Sequence, residues 1–331
     1  MNELIGLKNM KSLDSVDALK KELLLFDKIL IVGLKEYNDV FQKNEITSQN
    51  ELLENRDSFA LNDLIILNSY VGMYNLVNSP SGCPGYKPKF TTEESTFFNQ
   101  NFDFLLEKGK IIIDYNEISD KNKQSEANEN ITPSLERKLN ADLSYDVLFN
   151  MCLDLKARII AASCDNSKFT AIPYETSIYS IDEITNTKAD VYSLLLEDFP
   201  IIETDQIAWE QIFDFKSDPD VYNAIWSLRN WISSISRTNR QPNEIEEEYR
   251  DLKYQYEKAI NLHKLKNSSN AFQTTIQTSA ELVENLAKLN FKKATDVFFQ
   301  FRKQKIALME VELKSKGNQL SYLYKLKTKF N

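Results

Sequence analysis

A chain of 331 residues, 42% apolar and 27% charged, with a net charge of −9, is long enough for about two domains of ~150 residues each and for a core without covalent staples. That composition excludes a disordered chain, and the acidity argues against wholesale wrapping of nucleic acid. The longest apolar-leaning run, Leu64 to Val77, is broken by Asn68, Ser69 and Asn75, and it falls short of the ~20 apolar residues a spanning helix needs, so no membrane partner is expected.

The first residues, MNELIGLKNMKSLD, show neither the apolar stretch nor the cleavage site of a secretory signal. Cys83, Cys152 and Cys164 are irregularly spaced, which points to free thiols in a reducing cytoplasm and not to a disulfide framework. Charge is unevenly distributed: from Phe291 to Asn331 ten Lys and Arg face three Asp and Glu, a local +7 that leaves −16 on the rest. A basic tail on an acidic body raises the question of an acidic partner, although pairing with that body is the simpler use of it.

Ser15 can cap a helix in which Val16, Leu19, Leu23 and Phe26 recur at helical spacing. The run Lys28 to Val32, ended by Gly33, reads as a buried strand. Glu36 to Asn62 reads as polar helix with loops, Leu64 to Val77 as a helix with a buried strand as the alternative, and the Pro- and Gly-rich Asn78 to Pro88 as a loop. A helix over Thr91 to Lys108, stopped by Gly109, leads into a second strand, Lys110 to Tyr115. Residues 119–133 contain one apolar side chain larger than alanine and predict a mobile loop. Ser144 to Ser163 reads as a helix, Phe169 to Pro173 as a short strand, and Asp190 to Leu196 as a helix or the approach to one.

From Asp198 onward the periodicity is helical. Asp218–Pro219 is the preferred opening of a helix, and Val221, Ile225, Leu228, Ile232 and Ile235 follow on one side of it. A second seam, Ile245, Tyr249, Leu252, Tyr256, Ala259 and His263, predicts an antiparallel partner helix. Helix continues over Ser279 to Asn290 and Lys292 to Ser315, and Gly317–Asn318 stops it. The last ten residues alternate, with Tyr324, Leu326, Thr328 and Phe330 against Lys325, Lys327 and Lys329; period two predicts an edge strand. The fold class expected is α+β, with a mixed α/β N-terminal domain over residues 1–197 and a mainly helical C-terminal domain over 198–331.

Seven glycines nowhere form GxGxxG or GxxxxGK[ST], so standard phosphate-cradling loops are not expected. Triad chemistry would have to use the single histidine, His263, which lies on a helical seam. No CxxC supports a structural zinc site. The Glu310-Val311-Glu312-Leu313-Lys314 stretch contains the E-x-K step of metal-dependent nucleases, but on a helix Glu310 and Lys314 form an i,i+4 pair. Asp114, Glu117 and Lys121, following the second strand, are the weak catalytic candidates, and Mg²⁺ would be needed only if they act as a nuclease or phosphodiesterase. Trp209, Trp226, Arg229 and Trp231 read as packing or interface residues. Arg302, Lys303, Lys305, Lys325, Lys327 and Lys329, interleaved with aromatic rings, are the candidate nucleic-acid contacts.

Pro200, Trp209-Glu210-Gln211-Ile212-Phe213-Asp214-Phe215, Asp218-Pro219 and Leu228-Arg229-Asn230-Trp231 together resemble an element recurring in a large group of uncharacterised bacterial proteins, some encoded near antiphage genes. Ala307 to Lys314 and the FDKI beginning at Phe26 are similar to the same group. The resemblance implies a bacterial, defence-associated setting and brings no activity or site. The expectation is a cytoplasmic interaction protein, one component of a defence or stress-response assembly, binding a protein partner or a second copy of itself. The reading leans away from an enzyme. A metal-dependent nuclease or phosphodiesterase, and a nucleic-acid sensor acting through the basic tail, stand as alternatives.

Overall fold

The computed structural model describes residues 2–10, 13, 15–35, 92–127, 145–175, 187–199, 204, 206–238, 242–267, 308 and 310–330. The helices expected over Glu36 to Asn62, Leu64 to Val77 and Ser279 to Asn290, and the loop at Asn78 to Pro88, lie outside these residues. The chain divides into two compact units, one of Met1–Asp198 with Glu203–Ile212 and one of Phe199–Ile202 with Phe213–Asn331. The fold is α+β, with a parallel sheet in the N-terminal region and helices in the C-terminal region.

Among the described residues the sheet of the first unit has four strands: β1 (Glu3–Asn9), β2 (Lys28–Val32), β3 (Ile111–Ile112) and β4 (Phe169–Ile172), in spatial order β3-β2-β1-β4. Every pairing is parallel, with Leu7 opposite Leu30 and Ile5 opposite Ala171. Parallel neighbours need a crossover, and α1 (Val16–Leu25) supplies the one between β1 and β2. Ser15 caps α1 as expected, its hydroxyl accepting from the Ala18 N–H.

The interior strand β1 was not expected. Its apolar side chains alternate with Gly6 and Lys8, so it lacks the continuous apolar run that marks a buried parallel strand. On one face Ile5 and Leu7 join Leu30, Val32, Ile112 and Ala171 beneath α3 (Tyr145–Ser163), which contributes Leu153, Ala157, Ile159 and Ile160. Each such side chain, fully buried, is worth about 1.5–3 kcal/mol. On the other face α1 and α4 (Thr187–Glu197) close over Gly6 and Lys8, and Phe26 stacks on Tyr174 at 4.9 Å and tilts against Tyr192 at 5.0 Å. A Cβ on Gly6 would lie 2.8 Å from Phe26 Cδ2 and 2.9 Å from Tyr174 Cε1. Glycine is required there for close approach.

Two local expectations are corrected in this unit. The second strand is only Ile111–Ile112, because Asp114 turns the chain into a 3₁₀ turn at Tyr115–Glu117. Residues 121–127, inside the expected mobile loop at 119–133, are helical. Asp120 caps them, its carboxylate accepting from the N–H groups of Asn122 (2.8 Å) and Lys123 (3.2 Å). A good cap starts a helix that apolar content alone does not announce.

After α2 (Thr92–Glu107) in the first unit and α5 (Trp209–Ser217), the helical unit is built on α6 (Pro219–Ile235), α7 (Pro242–Asn267) and α8 (Ser321–Phe330). Asp218 caps α6 through the N–H groups of Asp220 and Val221, with Pro219 opening the helix, and the seam Val221, Ile225, Leu228, Ile232 and Ile235 is buried. Ile245, Tyr249, Leu252 and Tyr256 are buried on α7, and Ile260 takes the place expected of Ala259. α6 packs chiefly on α8 and the 3₁₀ turn Asn318–Leu320 before it, not on α7 as a simple hairpin.

The tail is therefore a helix where alternation predicted a strand. Tyr322, Leu323 and Leu326 are buried at helical spacing, whereas Thr328 is exposed. Phe215 meets Tyr322 at 6.0 Å and Phe330 at 5.2 Å. Gly317 sets up this turn with φ of 86°, and a Cβ there would stand 2.2 Å from the Leu252 carbonyl oxygen. No helix among the described residues is long and apolar enough to cross a membrane.

Candidate functional site

All four strands of a parallel sheet deliver their carboxyl ends to one edge. Open α/β sheets bind ligands outside the carboxyl ends of their strands, where the strand order reverses. Here the order reverses at β1: β2 lies on one side of it and β4 on the other. The carboxyl ends carry Lys8 and Asn9 from β1, Lys35 beyond β2, Asp114 beyond β3, and Tyr174 and Glu175 beyond β4.

At the reversal, Lys8 is 3% exposed, and its ammonium donates to Glu22 Oε1 of α1 at 2.7 Å and to Glu175 Oε1 at 3.0 Å. The other oxygen of Glu175 accepts from the Asn9 backbone N–H at 2.7 Å. Two carboxylates thus share one ammonium in a low-dielectric setting, where an unpaired charge is costly. Burial, only partly offset by Lys8 and reinforced by the charge of Glu175, pushes Glu22 up to about 7. Burial would lower Lys8, but the charges of Glu22 and Glu175 outweigh it and hold the ammonium above its ordinary range. Glu22 Oε2 and the Tyr174 hydroxyl are both buried, and neither completes a hydrogen bond of normal geometry. Burial and then the two carboxylates hold the Tyr174 phenol well above its usual range. The sequence reading missed this cluster; the one visible signal was a lysine, Lys8, directly after the apolar stretch Leu4 to Leu7.

A second polar group occupies the carboxyl end of β3. Asp114 Oδ1 accepts from the Asn116 backbone N–H (2.9 Å) and side chain (2.8 Å), and Oδ2 accepts from Lys35 Nζ (2.9 Å). Burial would raise Asp114, yet the Asn116 N–H and Lys35 together hold it below the usual carboxylate range. Lys156, 2% exposed, donates to the Tyr115 hydroxyl at 3.2 Å and stands 4.4 Å from the ring centroid. Glu117 and Lys121 are exposed, and among the described residues neither bonds to Asp114. Its oxygens are committed to a turn and an ion pair. Among the described residues no group of three or more His, Cys, Asp or Glu is arranged to hold a metal ion.

The remaining expected site residues fall elsewhere. Trp209 belongs to the first unit, where its Nε1 donates to Asn101 Oδ1 at 2.8 Å and Lys20 stands 5.6 Å from its ring. Lys20 also donates to the Thr204 carbonyl at 2.7 Å, and the Thr204 hydroxyl donates to Asp17 Oδ1 at 2.9 Å. Trp226 and Trp231 belong to the helical unit. Trp226 meets Tyr222 edge-on at 6.4 Å, and Trp231 donates to Glu248 Oε1 at 3.4 Å beside the Tyr249 ring. Arg229 is half-buried on the same helix.

Of the candidate nucleic-acid contacts, Lys325 pairs with Glu312 at 3.4 Å and Lys327 with Glu257 at 3.7 Å, while Lys329 is exposed. Arg302, Lys303, Lys305 and the His263 side chain lie outside the described residues. Glu310 and Lys314 form the i,i+4 pair expected of a helix, 3.6 Å apart. Cys152 and Cys164 are buried and not disulfide-bonded; Cys83 lies outside the described residues. No family model, curated protein or solved structure matches the chain.

Proposed function

We propose that this chain is an interaction protein, holding a protein partner or a second copy of itself through the outer face of its helical unit, in an assembly of the defence or stress-response kind. The observation that supports this most is on α7. Its inner seam is buried, whereas Tyr254 (59% exposed) and Leu262 (49%) stand two turns apart on the outer side, with Lys258 between them. Large apolar groups aligned on a charged helix are the usual anchors of a protein contact. Further support comes from the charges singled out in the sequence: Asp114, Lys325 and Lys327 are engaged within the fold.

The experiment is light scattering of the purified chain, alone and with proteins that cross-link to it, comparing wild type with Tyr254→Ser/Leu262→Ser. Loss of association in the variant, with an unchanged melting temperature, is expected. A wild-type chain that stays monomeric, binds nothing and cleaves DNA or RNA with Mg²⁺ would reverse the reading in favour of a nuclease. The position of Asp114 at the carboxyl end of β3 is the observation that favours that alternative.

A further inference from the structure

We propose that Lys8 Nζ and the Asn9 N–H, at the carboxyl end of β1 beside that of β4, form an oxyanion site that the chain keeps closed with its own Glu175. A small phosphorylated or carboxylated ligand would take that carboxylate's place on Lys8 Nζ and the Asn9 N–H.

Three observations meet at this point. The carboxyl ends of β1 and β4 adjoin where the strand order reverses, the position at which parallel sheets bind ligands. The site's two donors, one ammonium and one main-chain N–H, converge on the two oxygens of a single carboxylate at 3.0 and 2.7 Å. This two-point grip suits any planar or tetrahedral oxyanion. Of the three charged side chains the present occupant is nearest the surface: the Glu175 side chain is 23% exposed, against 3% for Lys8 and 6% for Glu22. With Glu175 displaced, Glu22 stays behind to balance Lys8. The buried Tyr174 hydroxyl, which faces Glu22 without a well-formed hydrogen bond, is a further donor that an entering oxyanion can engage.

A self-closed site binds weakly because the competent state is a minor one, and removing the internal occupant removes that penalty. The experiment is calorimetric titration of the full chain with inorganic phosphate and, separately, acetate. Wild type, Glu175→Ala and Glu175→Gln are compared, with selective ¹⁵N labelling of asparagine to follow the Asn9 amide. Glu175→Ala vacates the position and is expected to bind at least one of the two anions about tenfold tighter than wild type, with a shift of the Asn9 resonance. Glu175→Gln, which leaves the space filled, is expected to gain less. Preference between the two anions tells a phosphorylated from a carboxylated ligand. Equal or absent binding in Glu175→Ala and wild type, or binding that leaves the Asn9 amide unmoved, overturns the proposal. Circular dichroism of each variant confirms that the fold is intact.

Discussion

Gly6 and Phe26 are in contact across the sheet face so closely that the glycine hydrogen stands where a methyl group would overlap the ring: the distance from that methyl to Cδ2 would be 2.8 Å. The interior strand and the residue ending α1 are fitted to each other at this one point, with Tyr174 stacked on the same ring and equally close to the glycine. Gly6→Ala is expected to destabilise the chain by about 1–3 kcal/mol, the usual cost of overpacking a filled core. Urea titration measures it. Adding Phe26→Leu should return part of the loss, and a double variant no better than the sum of the two single ones would show that the ring is not the obstacle.

The shared ammonium of Lys8 predicts a pH dependence of definite sign. The Glu22 carboxyl ordinarily titrates at 4.5 and is held at about 7 in the folded chain. The folded state therefore keeps this proton where the unfolded state has lost it. The stabilisation it provides is complete below about 4.5 and disappears as the pH rises through about 7. Lys8, raised above 10.5, titrates outside this window. Denaturant midpoints measured between these limits should fall with rising pH in wild type, and the slope should flatten in Glu22→Gln. An unchanged slope in that variant would assign the proton to another group.

Removing Lys8 leaves two carboxylates without their cation. Lys8→Met is expected to cost about 3–5 kcal/mol near neutral pH, as broken buried pairs do. Lys8→Met combined with Glu22→Leu should recover much of it, since an apolar pair of similar volume needs no desolvation. Thermal melts of the two variants provide the comparison.

Asp114 is engaged as a cap. Asp114→Ala is expected to cost about 0.5–2 kcal/mol, the range for a lost capping side chain, and Mg²⁺ is expected to leave the melting temperature of wild type unchanged. A Mg²⁺-dependent rise in wild type that vanishes in Asp114→Ala would instead make this carboxylate a metal ligand.

In the C-terminal helix Leu326 is fully buried beside Tyr322 and Leu323. Leu326→Ala is expected to lose about 2–5 kcal/mol, as large-to-small core changes do. Reversal of the exposed Lys329 to Glu should change stability by less than about 0.5 kcal/mol. The same reversal is the test of nucleic-acid binding: affinity that falls steeply with salt in wild type and drops in Lys329→Glu would show the tail on a phosphate backbone.

The sequence by itself determined those features whose cause is local. Ser15 and Asp218 opened helices because a side-chain oxygen can reach the first free N–H groups from its own place in the chain. Lys28 to Val32 declared a buried strand by its continuous apolar run, and the α6 and α7 seams declared themselves by their spacing. Alternation misled in the tail, where Leu326 fits a period of two as well as a helical one and only the burial of Tyr322 and Leu323 decides between them.

Tertiary structure alone decided the interior strand and the site beside it. Lys8 reads as a surface residue until Glu22, 14 positions away, and Glu175, 167 positions away, are brought against it. An ammonium is tolerated inside a sheet only when its counter-charges arrive from other elements, and no local pattern records where those elements will pack.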